Sequence, residues 1–289
     1  MGMMLRVLLL SFVLAWSMPL DAQSVSDVRS QLESSLRLTG SIVIETDGKV
    51  LEHSIKPTPA LTPALTAYLD RAISSWRFEP VKVDGKVVRA KVPMHLRLVA
   101  KKTADGKYNV TIASTYFGSN ETSERLPSQG VRSDGSGMKP PSYPKGLVRA
   151  GVEGTVYLVV QVGRDGRVMN VDASQVNLRA VGTARVMEQM RNQLAEASVH
   201  AARSWRFIVP TTGEEAGKSS WLAFVPISFN IGRELRPLDQ WDTYVPGPLN
   251  NHMPWADERV QMAASPDALP DSGVFPLEQG AKLLTPPAA

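Results

Sequence analysis

Gly154-Thr-Val-Tyr-Leu-Val-Val-Gln-Val-Gly-Arg-Asp165-Gly166-Arg-Val168 reads as a strand that runs into a tight turn. Val156, Leu158, Val160 and Val162 alternate with Tyr157, Val159 and Gln161, the period of two that gives a strand one apolar face. Asp165-Gly166 supplies the positive φ of a hairpin turn, so the chain is predicted to fold straight back. Downstream, Met187, Met190, Leu194, Ala197, Ala201 and Trp205 recur at helical steps of three and four. The helix closes on Ser204-Trp205-Arg206-Phe207-Ile-Val-Pro210, and Val225-Pro226-Ile227 lies in a third strand from Trp221 to Ile231.

The same order occurs earlier in the chain. Gly40-Ser-Ile-Val-Ile-Glu-Thr-Asp47-Gly48-Lys-Val50 is followed by a helical stretch, Ser75-Trp76-Arg77-Phe78-Glu79-Pro80 and Val92-Pro93-Met94. Such an ordered recurrence is an internal repeat. In the first copy Thr62-Pro63 caps a helix with proline at its first position, and Leu61, Leu65, Leu69, Ala72, Ile73 and Trp76 share one stripe. Trp76 and Trp205 should be buried equivalents, while Arg77 and Arg206 keep their heads in water. A short helix is expected before each unit. One starts at the capping-box sequence Ser24-Val-Ser-Asp27 with Val28, Leu32 and Leu36 on its apolar face; the other runs from Pro144 to Gly151.

The fold class is therefore α+β: two tandem modules, each a small antiparallel three-stranded sheet with two helices on one face. The first module gains an extra strand, because Met94 to Lys102 and Lys107 to Tyr116 flank Thr103-Ala-Asp105-Gly106. The division is a leader at 1–22, modules at 23–116 and 139–232, a Ser/Gly-rich linker at 117–138 and a Pro-rich, disordered tail at 233–289.

Arg6, the apolar run from Val7 to Met18 and the small residue Ala22 before Gln23 have the pattern of a cleaved export signal, too short to span a bilayer comfortably. The 289 residues contain no cysteine, which excludes disulfides, thiol nucleophiles and thiolate metal sites. A net charge of +4 without a basic block argues against nucleic acid. His53, His95, His200 and His252 are scattered without metal-ligand spacing, and neither a phosphate loop nor a nucleophile elbow is present. The chain is read as a binding protein, with no enzyme activity, metal or cofactor.

Pro140-Pro-Ser-Tyr143-Pro144, Gly151-Val-Glu153-Gly154-Thr-Val156, Asp165-Gly166-Arg-Val168, Trp205-Arg206-Phe207, Pro210 and Val225-Pro226-Ile-Ser-Phe229 together resemble the C-terminal domain of the TonB family over about 139 to 232. Residues 26 to 100 resemble a shorter, diverged member. The resemblance implies a periplasmic domain that grips an extended peptide of an outer-membrane receptor through its last strand. Trp221, Ala223, Val225, Ile227 and Phe229 would form the peptide-binding edge, approached by Tyr143 and Pro144. Trp76, Arg77, Phe78, Trp205, Arg206 and Phe207 would be structural. The first module should be closed by its extra strand and the second open. Members of the family use an inner-membrane anchor, the partners ExbB and ExbD, and a long proline-rich spacer. Here no spacer separates the leader from the first module, so a soluble adaptor is expected, with a membrane-anchored energy transducer or a self-pairing envelope module as alternatives.

Overall fold

The computed structural model describes residues 24–83, 85–103, 105–118, 130–133, 136–232, 240–250, 252–256, 266–277 and 281–285. The leader and linker residues 119–129 lie outside this set. In chain order the elements are α1 (Val25–Ser30), β1 (Glu33–Ile44), β2 (Val50–Ile55), α2 (Pro63–Ser74), β3 (Lys82–Val83), β4 (Lys86–Val87), β5 (Ala90–Lys102), β6 (Tyr108–Phe117), α3 (Lys145–Arg149), β7 (Gly154–Gly163), β8 (Val168–Leu178), α4 (Ala184–Ala202), β9 (Ser220–Phe229), β10 (Asp242–Tyr244) and β11 (Phe275–Pro276).

Two antiparallel sheets result. The first has the order β10-β1-β5-β6, with β2 also on β1; the second has the order β11-β9-β7-β8. In each, the first strand of the module is flanked by its third on one side and its second on the other. α2 and α4 cover one face of their respective sheets and bury Leu69, Ile73 and Trp76 in one case, Met187, Leu194 and Trp205 in the other. The α4 stripe passes through Ser198 and Ala202, both fully buried, and leaves Ala197 and Ala201 beside it. Ser198 satisfies its hydroxyl by donating to the Leu194 carbonyl at 2.8 Å, which lets a polar side chain sit in a core.

The Asp-Gly turns and the Trp-Arg-Phe segments are one structural unit. Gly48 and Gly166 hold φ of +82° and +72°, where a side chain is disfavoured. A Cβ at either would lie 2.1 or 2.3 Å from the carbonyl oxygen of Phe78 or Phe207. That close approach is used: Phe78 N–H donates to Gly48 at 2.8 Å, and Phe207 N–H to Gly166 at 2.9 Å. The turn glycine and the aromatic segment therefore belong together physically, which is why they occur together in the sequence.

Several expectations need correction. α1 has its capping box but ends at Ser30; Leu32 is exposed and Leu36 sits in β1. Val28 packs into the second core, not the first. The third strand of the first module, expected from Val87 to Val99, runs from Ala90 to Lys102, since Lys82–Val83 and Lys86–Val87 form a separate small ribbon. β7 is buried on both faces, because Tyr157 and Val159 join Leu222, Phe224, Met253, Leu269 and Phe275 in a third cluster. The segment read as a disordered tail is thus packed: Met253, Ala256, Leu269 and Phe275 lie in this cluster, Val245 in the second core, and Ala281 and Leu283 against the first. Its prolines did not prevent this: Pro266 is buried at the first position of a short 3-10 helix, where no N–H is needed. Among the described residues no helix is long and apolar enough to cross a membrane.

Candidate functional site

The last strand of the second module, β9, pairs with β7 from Phe229↔Gly154 to Ser220↔Gly163. Trp221, Ala223, Val225 and Phe229 are buried in the α4 core and Ile227 is packed against it. These side chains face the core and not the surface. Their peptide groups do not face the edge either. Leu277 N–H donates to the Leu222 carbonyl at 3.0 Å from the outer side, and peptide direction alternates along a strand. Leu222, Phe224, Pro226 and Ser228 therefore turn their peptide groups outward, and the five residues read as the recognition strand turn theirs to β7.

This outer edge is partly taken. β11 lies antiparallel on it, with Phe275↔Phe224 and Pro276↔Ala223. Beyond it Pro226 has no N–H to offer, which is the position where a strand tolerates proline. Past Pro226, Ser228 is the next outward donor, and its hydroxyl reaches the Asp271 carbonyl at 3.4 Å. The expectation that the tail leaves the second module open is thus corrected: a two-residue strand closes the middle of its edge. The extra strand of the first module is present as β6, paired with β5 from Lys102↔Tyr108 to Met94↔Phe117.

What holds the tail in place is a pair of arginines. Arg37 and Arg97 stand directly opposite each other on β1 and β5, on the face away from α2. Like charges at that spacing repel, and buried charge without a partner is costly. Carboxylates resolve both problems. Asp271 takes Arg37 in a two-pronged contact, at 2.5 Å from Nη1 and 2.8 Å from Nη2. Asp267 lies 3.0 Å from the Arg97 guanidinium, and Glu33 accepts from it at 2.5 Å. Arg97 Nε donates to the Tyr244 hydroxyl at 2.7 Å, and the Ser114 hydroxyl donates to Asp267 at 3.0 Å. Burial alone would raise the Asp271 carboxyl, but the Arg37 hydrogen bonds and charge hold it below the usual range. On the other sheet Arg179 binds Asp242 at 2.8 Å, and Tyr157 lies buried beside the cluster. The tail thus joins both sheets.

His95 occupies the same face, within 5.9 Å of the Tyr116 ring and 6.2 Å of the Phe275 ring. Burial pushes its imidazole down to about 4, the Gly118 backbone only partly opposing this. The unfolded chain, with its ordinary value of 6.5, then takes up the proton first as the pH falls. His95 accordingly leaves stability intact above pH 6.5 and removes it progressively down to about pH 4. The loss should reach about 3 kcal/mol, at ~1.4 kcal/mol per pH unit. Urea titrations at neutral and acid pH should show this fall in wild type and a much smaller one in His95→Phe. Equal falls in both would refute the assignment.

The remaining motif residues have structural places. Tyr143 donates to the Val152 carbonyl, and its ring lies 5.0 Å from that of Phe229, so it pins the entry to α3 against the end of β9. Pro144 is the residue before α3. Trp76, Phe78 and Phe117 form an edge-to-face trio, while Trp205 and Phe207 pack at 6.5 Å. Arg77 and Arg206 are exposed, each in a bridge to the residue after its Asp-Gly turn, Lys49 or Arg167. Arg37, Arg97, Asp267 and Asp271 were missed. A signal existed in arginines placed mid-strand between leucines, but nothing local identified carboxylates more than 150 residues away.

No protein-family profile matches this chain, and no solved structure matches it. Two relatives do: the TonB proteins of two strains of Xanthomonas campestris pv. campestris, each 36% identical over 95 residues. Over that stretch the chain is TonB-like. The match covers 32% of this chain and 36% of each relative, so the chain spans about a third of their length.

Proposed function

We propose that this protein is a TonB-like adaptor of the cell envelope, which receives an extended peptide of an outer-membrane receptor on the outer edge of β9. Carriage of the peptide by strand addition supplies affinity through the backbone ladder and leaves specificity to alternate side chains. The observation that carries the reading is β11. A short strand already lies antiparallel on Ala223 and Phe224, so this edge accepts a strand, and the chain's own tail stands in for the partner. Because Pro226 removes a donor and β11 covers the middle, β11 must leave before a peptide can pair along the edge. Side chains of Leu222 and Phe224, now under the tail, would then be the apolar contacts. Both modules are read as members of the TonB C-terminal group, with the periplasm as location. ExbB and ExbD enter only if the leader is retained as an anchor, and the leader lies outside the described residues.

Removing the competing strand should strengthen binding. Leu277→Pro deletes the N–H that reaches Leu222 and should improve the affinity for a receptor peptide by about two- to tenfold, the worth of one backbone hydrogen bond. An isotopically labelled full chain titrated with candidate outer-membrane receptor peptides should shift the amides of Leu222, Phe224, Ser228 and Leu277. Saturable binding that leaves these four amides unchanged would sink the proposal.

A further inference from the structure

A strand laid on a sheet moves the edge outward and does not abolish it. β6 covers β5, and its own outer side then becomes the edge of the first sheet; no strand among the described residues pairs with it. The Lys107 carbonyl accepts from Thr103 N–H across the hairpin, so by alternation Asn109 and Thr111 face β5 and Tyr108, Val110 and Ile112 turn their peptide groups outward. Ile112 pairs with Leu98 and Ser114 with Arg97, which makes Ala113 a bulge and confines the regular edge to Tyr108–Ile112. That stretch has neither proline nor charge, the usual protections of an exposed edge.

A groove of about 1080 Å³ adjoins the Tyr108 end. Its origin is a mismatch of lengths. α2 has 12 residues and α4 has 19. At ~1.5 Å per residue, α2 falls about 10 Å short of α4. The sheet beneath α2 is no shorter, since β1 alone has 12 residues and β5 has 13. Ser34, Ala100 and Val110, a row across β1, β5 and β6, are left as an open floor. Leu32, Tyr108 and Trp241 wall it at 37%, 63% and 39% exposure. Its charge is basic. Glu33 is engaged by Arg97 and Lys101, whereas Arg29 and Lys102 have no carboxylate partner among the described residues.

We propose that the outer edge of β6 at Tyr108–Ile112, together with this groove, is a second strand-addition site that takes an extended acidic peptide. Three outward peptide units provide the ladder. Alternate side chains of the added strand enter the near end of the groove against Tyr108, and its carboxylates meet Lys102, the β5 neighbour of Tyr108. The site is separate from β9 and does not depend on the reading of that edge.

The test uses the full chain and a fluorescent synthetic peptide of alternating glutamate and valine, with a lysine–valine peptide as control. Val110→Pro places proline where the N–H points outward, a position that an edge strand tolerates. It should weaken the glutamate peptide by about tenfold, the scale of one or two backbone hydrogen bonds. Lys102→Glu, on the surface beside Tyr108, should weaken it comparably and admit the lysine peptide. Ser228→Pro on β9 should change neither. Loss of binding in Ser228→Pro but not in Val110→Pro would place the site on β9 and overturn the proposal. Equal affinity for the two peptides would overturn the acidic preference. A dimer in sedimentation that Val110→Pro converts to monomer, with no peptide binding, would assign the edge to a second copy of this chain instead.

Discussion

Truncating Trp205 to alanine is expected to cost ~3–5 kcal/mol, through lost burial and the cavity left behind. Its indole is 2% exposed at the end of α4, in contact with the core that β7, β9 and α3 share. Trp76 is equally buried, so Trp76→Ala should cost a similar amount. The two sites differ in their polar atom. Trp205 Nε1 donates to the Lys139 carbonyl at 2.8 Å, whereas Trp76 Nε1 has no partner among the described residues. Replacement by phenylalanine should therefore be costlier at 205 than at 76 by about 1 kcal/mol, one net hydrogen bond. Denaturant titrations of the four variants decide the matter. Wild-type stability in either alanine variant would refute that core, and a reversed order of the phenylalanine pair would refute the role of Lys139.

Asp271→Ala should destabilise by a comparable ~3–5 kcal/mol, because it leaves the Arg37 guanidinium buried without its counter-charge. The side chains of the pair are only 12% and 6% exposed, so little solvent screening softens the loss. Arg37→Met together with Asp271→Leu should recover most of it, since replacing both partners of a buried pair by apolar groups is close to neutral. The structural readout is the tail. In Asp271→Ala the amides of Phe275 and Leu277 should exchange faster, as the segment that Asp271 anchors loosens from β9. Slow exchange there, with stability unchanged, would show that Asp271 does not hold the tail. Acid acts in the same direction. The Asp271 carboxyl titrates below its ordinary value in the fold, so its contribution is present above the unfolded value of 3.8 and lost as pH falls through the lower folded one. Together with His95, this predicts that the face carrying the tail is the first part of the protein to fail as pH drops.

The alternation in β7, the three Asp-Gly hairpins and the caps at Ser24 and Thr62 are local properties. Each is set by residues within a turn or two of one another, which is why the element order and the α+β class are legible in the sequence alone. The pairing of Gly48 with Phe78 and of Gly166 with Phe207 is legible as co-occurrence, although its cause is a close approach of backbones. The edge was misassigned for a reason of the same kind. Strand periodicity tells which side chains share a face, but the direction of the peptide groups follows from which neighbour lies on which side. Only the pairing of β9 with both β7 and β11 revealed that Pro226 and Ser228, not Val225 and Ile227, look outward.

By itself, then, the sequence determined two small antiparallel sheets, their turns, their helices and the tryptophans that fill their cores, because short-range sterics and burial periodicity are written residue by residue. The tertiary structure alone decided the fate of the tail and of the second faces of the sheets. Arg37 and Arg97 are paired across β1 and β5, and their charge is answered by Asp267 and Asp271 from far along the chain. No local pattern encodes such a distant match of charge, since it exists only once the sheets have brought the two arginines together and buried them.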